Sequence, residues 1–309
     1  MNNAPAGVET AVHDKLTAEE GARVSALVES ATEADGVAPL NEAVMLALRY
    51  GGPGTVRHVV ASVTADEPDG EWVGYGHLDL TDRIQGASAE VVVHPDWRRK
   101  GVGTTLVRRM LDEAAPMTLR LWAHGHHPAA ERMAATLGFT RVRDLWQMRR
   151  SLLAEMPRLE VPEGGELRAF RPGEDDRAWL RVNARAFADH PEQGSMSAED
   201  LTMRMTEPWF DAAGFIVAER DGELVGFHWT KVHSGGQHDP IGEVYVVGVD
   251  PDAQGLGLGK VLTLAGLWHL RDRGLDQVML YVESDNAPAI AVYERLGFRR
   301  WDVDVMYSR

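Results

Sequence analysis

Two glycine-rich turns and two isolated proton-carrying side chains are the residues of this sequence best suited to chemistry. The turns are Arg98-Arg99-Lys100-Gly101-Val102-Gly103-Thr104 and Gln254-Gly255-Leu256-Gly257-Leu258-Gly259-Lys260, each following a Val-rich segment and preceding an amphipathic one. A strand, a glycine turn and a helix in that order aim successive backbone N–H groups at one point, and the helix N-terminus adds positive potential. Glycine lets an anion approach the backbone with no Cβ in the way, so each turn is a candidate phosphate cradle. Glu243 lies in the apolar run Gly242-Glu243-Val244-Tyr245-Val246-Val247-Gly248-Val249 that leads into the second turn. A buried strand seldom carries an unpaired charge, which makes Glu243 a candidate general base, the alternative being a salt bridge at the strand's start. Strand alternation puts it on the side of Tyr245 and Val247. Tyr293, on the last amphipathic segment, is a candidate acid or else a core aromatic.

The elements that must position these groups come in two matching sets. Each turn is followed by Leu-Gly-Phe (Leu137 to Phe139, Leu296 to Phe298), and both signatures recur after about half of the 309 residues. That spacing predicts a duplicated domain, since solenoid repeats run at roughly 20 to 50 residues. In the first copy, helices are expected at Leu16 to Ala31, opened by a Thr17/Glu20 capping box, and at Asn41 to Arg49, Gly101 to Ala115 and Pro128 to Thr136. Strands are expected at Arg57 to Val63, Trp72 to Asp79, Ala87 to Val93, Leu119 to Ala123 and Leu145 to Arg149. After the linker Glu160 to Gly165 the same order returns. Strands fall at Leu167 to Phe170, Phe215 to Arg220, Leu224 to Val232, Gly242 to Val249, Gln277 to Val282 and Asp302 to Tyr307. Helices fall at Glu174 to Phe187, Gly259 to Arg273 and Pro288 to Leu296. The predicted fold class is α/β, built twice, with domains at 1–155 and 165–309.

The duplication allows the copies to be compared residue by residue. Aligning Asp250 with His94 sets Ala87 against Glu243, and aligning Phe298 with Phe139 sets Ala134 against Tyr293. Glu90 falls at the place of Val246, on the opposite face from the Glu243 position, and reads as structural. The second copy is therefore the expected catalyst and the first a binding domain without turnover.

Composition narrows the partners. A net charge of -15 argues against nucleic acid, and the absence of cysteine excludes disulfides, cysteinate metal sites and thiol nucleophiles. No apolar run reaches the roughly 20 residues of a membrane span, and Met1 to Asp14 lacks a signal-peptide core, so a cytoplasmic protein with no membrane partner is expected. His124, His126 and His127 cluster, but nothing in the sequence completes a metal site around them, and no metal is expected. The chain is expected to act as a monomer.

The turns match neither the Rossmann nor the Walker pattern. Taken with Leu-Gly-Phe, both halves resemble the GCN5-related N-acetyltransferase family, whose Gln/Arg-x-x-Gly-x-Gly/Ala loop holds the pyrophosphate of acetyl-CoA. The resemblance implies mixed, mostly antiparallel sheets flanked by helices, with the fourth and fifth strands of each splayed around the pantetheine arm. It implies acetyl-CoA as co-substrate, in both domains if both cradles are used. In the second copy the implied contacts are Val247, Gly248, Val249, the turn Gln254, Gly255, Leu256, Gly257, Leu258, Gly259 and Lys260, and Asn286, Ala287, Pro288, Ala289, Ile290 and Ala291. In the first they are Val91, Val92 and Val93 with Arg98, Arg99, Lys100, Gly101, Val102, Gly103 and Thr104. A main-chain N–H near Val247 would serve the thioester oxygen, and Tyr293 would face the coenzyme sulfur. Longer stretches, among them Trp122-Ala123-His124-Gly125, His190 to Gly194, Gly226 to His233 and Leu280 to Asn286, resemble tandem members that acetylate the cysteinyl amine of a cysteine-glucosamine-inositol conjugate. That resemblance implies Glu243 as base and Glu42, Glu192, Lys231 and Tyr281 as further substrate contacts. Another amine (an aminoglycoside, a polyamine or a protein N-terminus) or a non-catalytic acyl-CoA sensor are the alternatives.

Overall fold

The computed structural model describes residues 7–52, 54–63, 70–125, 127–188, 190–234 and 239–309, without the side chains of Pro191 and Glu192. His126 lies outside the described residues. The elements in chain order are β1 (Val8–His13), α1 (Ala18–Asp35), α2 (Glu42–Tyr50), β2 (Val56–Val63), β3 (Glu71–Asp79), β4 (Ala87–Val93), α3 (Val102–Ala114), β5 (Leu119–Ala123), α4 (Pro128–Leu137) and β6 (Thr140–Ser151). They continue with β7 (Gly165–Ala169), α5 (Asp176–Ala186), α6 (Pro191–Gly194), α7 (Ala198–Thr206), β8 (Phe215–Arg220), β9 (Glu223–His233), β10 (Ile241–Val249), α8 (Leu258–Asp272), β11 (Gln277–Glu283), α9 (Ala287–Arg295) and β12 (Arg299–Ser308). Among the described residues no helix is long and apolar enough to cross a membrane.

The chain forms two compact units, 1–145 with 302–309, and 146–301. In the first, the strand order is β1-β2-β3-β4-β5-β12; in the second it is β7-β8-β9-β10-β11-β6. This corrects the expected place of the last strand. Asp302 to Tyr307 does not close the second copy: β12 pairs antiparallel with β5, Val305 against Ala123 and Tyr307 against Leu121. The sixth position of the second unit is taken by the end of β6, where Leu152 N–H donates to Asp276 O at 2.8 Å. Nothing local forbids the exchange, because Val303, Asp304, Val305, Met306 and Tyr307 are all buried where they sit.

Each sheet is covered on both faces. In the first unit, Tyr75 and Val92 pack under α1 and α2 with Val24, Leu27 and Val44. In the second, one face carries an aromatic core of Trp179, Phe215, Phe227 and Trp229 under α5 and α7. Trp229 stacks on Phe215 with ring centroids 4.4 Å apart, and Trp179 meets both edge-on. The other face buries Val244 and Leu280 against Leu264, Leu267 and Leu270 of α8. The close approach of α8 needs glycine on β9, since a Cβ on Gly226 would stand 2.9 Å from Leu262 Cδ1 and 3.1 Å from the Gly248 carbonyl oxygen. The capping box at Thr17 forms as expected, with Glu20 N–H bonded to Thr17 Oγ1 and Thr17 N–H to Glu20 Oε2.

Candidate active site

The phosphate cradles are built alike. Gly101 and Gly257 open α3 and α8 in the left-handed region, at φ 90° and 78°, and neither helix start has a side-chain cap. The first N–H groups of both helices are thus left without the usual cap, as an anion site requires. The position four residues after Pro95 and Pro251 is also left-handed in both: Gly255 at φ 82° and, against its residue type, Arg99 at φ 61°. The loop backbone has been kept where the glycine has not. The arginine and glutamine of the motif both donate back to the strand end, Arg98 Nε to Val93 O at 3.3 Å and Gln254 Nε2 to Val249 O at 3.4 Å. Arg98 is further committed to Asp35 at the end of α1 by two bonds of 2.6 and 2.8 Å; the second loop carries a tie of opposite polarity, Arg185 of α5 donating to Asp250 at 2.8 and 3.0 Å.

Above each cradle the central strands part. β10 pairs in parallel with β11 only from Gly242 to Val244, and β4 with β5 only from Ala87 to Ala89. Val247, Gly248 and Val249, like Val91, Val92 and Val93, therefore stand beyond the last parallel pair, with backbone polar groups turned to a gap between strands. This is the opening the resemblance requires for an extended ligand arm.

The units differ at the head of that opening. The β9–β10 register slips between Val244 and Val246, so Tyr245 is an extra, bulged residue, while the β3–β4 register runs from Ser88 to Val93 without a break. The bulge alters two sequence expectations. Glu243 does share a face with Tyr245, but Val247 is on the other face, packed with Leu258 and Leu262 of α8. Counting from the parallel pairs, the residue at the place of Glu243 is Ser88, not Ala87, which matches Gly242. Glu90 consequently lies on the same face as Ser88 rather than opposite the base position.

Glu243 is 8% exposed. His233 Nε2–H donates to its Oε2 at 2.6 Å, and Lys231 stands directly across the ladder. Burial alone would push the carboxyl upward, but the His233 bond and the charges of His233 and Lys231 outweigh it and hold it below its ordinary value of 4.5. Lys231 is held over two rings, 4.7 Å from the centroid of Trp209 and 5.1 Å from that of Tyr245, and Arg204 Nε donates to the Tyr245 hydroxyl at 3.0 Å. Tyr281 is two residues beyond Met279, the parallel partner of Glu243, so it faces the same side; Gln147 Nε2 donates to its hydroxyl at 2.8 Å. The structure thus brings together Lys231, Glu243 and Tyr281. Glu192 is on α6, whose position is set by Asn183, fully buried, which exchanges bonds of 2.8 and 2.9 Å with Gln193. His190, just before α6, lies 3.7 Å from Glu283 at the end of β11; the Glu192 side chain itself lies outside the described residues. Glu42 is the first residue of α2, in the first unit.

Tyr293 packs with Ala289, Ile290 and Val247 against one core cluster and meets Phe298 edge-on at 5.8 Å. Burial raises its phenol to about 12, so it stays protonated. Its counterpart is Ala134, as expected: Phe298 N–H bonds to Tyr293 O and Phe139 N–H to Ala134 O, at 3.0 and 2.9 Å. Asn286 caps α9 through Ala289 N–H at 3.2 Å.

In the first unit, polar groups at the same level are spent on one another. Glu90, 2% exposed, accepts from Asn41 N–H at 2.7 Å and from Asn41 Nδ2, and His124 Nε2 lies 3.4 Å from it. His124 Nδ1 donates to Asp304 on β12 at 2.8 Å. Despite burial, which opposes the charge, the two carboxylates raise His124 to about 10.

Sequence reasoning missed His233. The signal was available, since Lys231 and His233 alternate on the strand antiparallel to β10 and so present two N–H donors to the face that carries Glu243.

Comparison with known proteins agrees with this geometry. The model of the Acetyltransferase (GNAT) family matches residues 41–139 and 179–298, one segment in each half. A mycothiol acetyltransferase of Acidothermus cellulolyticus is 53% identical over 100% of this chain and 97% of its own. One of Thermobispora bispora is 58% identical over 93% and 95%. Among solved structures, a GCN5-related N-acetyltransferase from Sphaerobacter thermophilus superposes at TM-score 0.70 with 25% identity, covering 99% of this chain and 96% of that one. A tandem GNAT protein from the clavulanic acid biosynthesis pathway shares the fold at TM-score 0.73 with 23% identity and 98% coverage of both.

Proposed function

The chain belongs to the GNAT acetyltransferase family, and from that membership we propose that it moves the acetyl group of acetyl-CoA to the cysteinyl amine of a cysteine-glucosamine-inositol conjugate, yielding mycothiol. The relatives that carry the name mycothiol acetyltransferase support the acceptor. The observation that carries the catalytic assignment is Glu243, a buried and ionised carboxylate one pair before the strands part. The second unit performs the transfer, and the first, with Ser88 and Ala134 at the places of Glu243 and Tyr293, keeps a coenzyme cradle without turnover.

The charge state of Glu243 constrains the chemistry. An α-amino group titrates at roughly 7.7 to 8, so full proton transfer to a carboxyl held below its ordinary value by His233 and Lys231 is uphill. Glu243 first pairs with the ammonium and then draws off one of its protons, and the lone pair so freed attacks the thioester carbonyl; the nitrogen, strongly acidic once the C–N bond has formed, gives up a second proton as the thiolate departs. Lys231, Tyr281 and Glu192 hold the rest of the acceptor. Coenzyme pyrophosphate sits on Gln254 to Lys260, the pantetheine arm lies along Val247, Gly248 and Val249 and against Asn286 to Ala291, and a β10 N–H near Val247 stabilises the oxyanion. A phenol at about 12 is a weaker acid than a thiol at roughly 8.5. Tyr293 therefore serves as a fixed O–H donor to the sulfur while negative charge develops there.

Thiol release from acetyl-CoA, measured with the conjugate and with a panel of peptides, polyamines and aminoglycosides, tests the reading. Turnover confined to the conjugate is expected. Rapid turnover of a peptide or polyamine with none of the conjugate would overturn the acceptor assignment.

A further inference from the structure

Glu243 poses a problem that its own neighbours must solve. A carboxylate this buried gains a proton unless something opposes it, and a protonated Glu243 could neither bind an ammonium nor receive its proton. The charged and titratable groups on its face include Lys231 and His233 on β9, Tyr245 on β10, Tyr281 and Glu283 on β11, and Arg204 of α7 against Tyr245. Lys231 stands over the rings of Trp209 and Tyr245, and Arg204 is bonded to the Tyr245 hydroxyl. Among the described residues His233 is the one that donates to Glu243, at 2.6 Å, short for an N–H to oxygen bond.

The bond also has a direction. His233 takes Oε2, which leaves Oε1 to face the acceptor. Its ring is about one-third exposed whereas the Glu243 side chain is 10% exposed, so the imidazole links a dry carboxylate to the wet edge of the sheet. Its place follows from register: it pairs with Ile241, two residue pairs beyond Lys231 and Glu243 on the ladder, and so reaches Glu243 diagonally.

We propose that His233 is a positioning residue for the transfer, which keeps Glu243 ionised and leaves Oε1 as the oxygen that meets the amine. The inference rests on Glu243 being the base. In the step itself Oε1 takes a proton from the ammonium, the lone pair so freed forms the C–N bond at the thioester carbonyl as the C=O π pair moves to oxygen, and the C–S bond then breaks to release the coenzyme thiolate; the His233 N–H bond to Oε2 remains intact throughout. His233→Ala removes the donor; His233→Gln places an amide N–H near the Nε2 position with no titrating ring.

The test joins two readouts on the full chain. The first is the Glu243 carboxyl titration, followed by carbon NMR in protein labelled at glutamate carboxyls and assigned by loss of the signal in Glu243→Gln. The second is kcat and KM for whichever amine the wild type acetylates. His233→Ala should raise the carboxyl inflection by more than one unit and lower kcat about 10- to 100-fold, with KM for acetyl-CoA unchanged. Added imidazole should restore part of the rate, and His233→Gln should lie near wild type in both readouts. In a Glu243→Gln background the His233 change should cost less than twofold. A carboxyl inflection that stays within half a unit in His233→Ala overturns the proposal whatever the rate. A silent Glu243→Gln would instead overturn the assignment of the base, which separates the two failures.

Discussion

Replacing Glu243 by Gln preserves side-chain volume and removes the charge, so it separates proton acceptance from packing. A positioned general base contributes about 10²- to 10⁴-fold, equivalent to about 2.7–5.4 kcal/mol of barrier at 1.36 kcal/mol per tenfold. Stability should move far less. The variant loses a charge-assisted bond from His233, worth about 1.5–3 kcal/mol, but also loses the desolvation cost of a carboxylate 8% exposed. These terms oppose each other and leave a net change below about 2 kcal/mol. The sign of the pH dependence follows from the depressed carboxyl. Its stabilisation is present above the unfolded value of roughly 4.3 and is lost as pH falls through the folded one, so wild type and variant should converge in acid. Steady-state thiol release from pH 6 to 9, with urea unfolding of the same samples, measures both quantities. A folded variant that keeps more than a tenth of wild-type kcat/KM would remove Glu243 from the role of base.

Three further outcomes are expected. Tyr293→Phe should lower kcat about 10- to 100-fold with little effect on KM for acetyl-CoA, the mark of an interaction made only as the sulfur departs; an unchanged single-turnover rate would leave Tyr293 a packing residue. Gly257→Ala should raise KM for acetyl-CoA and destabilise the fold by about 1–2 kcal/mol, because φ is 78° there; calorimetry with coenzyme A that shows wild-type affinity would detach this turn from the pyrophosphate. His124, raised to about 10 by Glu90 and Asp304, stabilises the first unit fully below the ordinary imidazole value and loses that contribution as pH rises through about 10. The melting temperature of that unit, followed by differential calorimetry, should fall between pH 7 and 10, and less so in Asp304→Asn. A flat profile in wild type would mean that the imidazolium is not part of what holds β12 in place.

The sequence revealed the parts that repeat and hid the parts that do not. The cradles, the strands leading into them and the Ala134–Tyr293 equivalence were readable because two copies fix each position twice. The bulge at Tyr245 was unreadable, since a run of Val and Tyr satisfies a regular strand equally well, and one extra residue then moved Val247 to the far face and Ser88 into register with Glu243. β1 escaped because six residues of mixed polarity give little alternation. The helix α7 did carry a signal, the Ser197/Asp200 capping box that the structure forms with bonds of 2.9 and 3.1 Å. The destination of the last strand could not be read at all, because the closing strands of two copies of one domain present interchangeable patterns to either sheet.

That exchange sets a clock on biosynthesis. β5 is complete at Ala123, but the strand that covers its edge pairs with it only from Val305, near the chain's end. At roughly 5–20 residues per second the first sheet waits about ten to forty seconds with an open edge, the configuration most prone to pair with another chain. The second unit meets no such delay, since the end of β6 is made before the rest of it. The half that carries Glu243 can therefore fold while synthesis continues, and the half that carries the older-made sequence is the last to close.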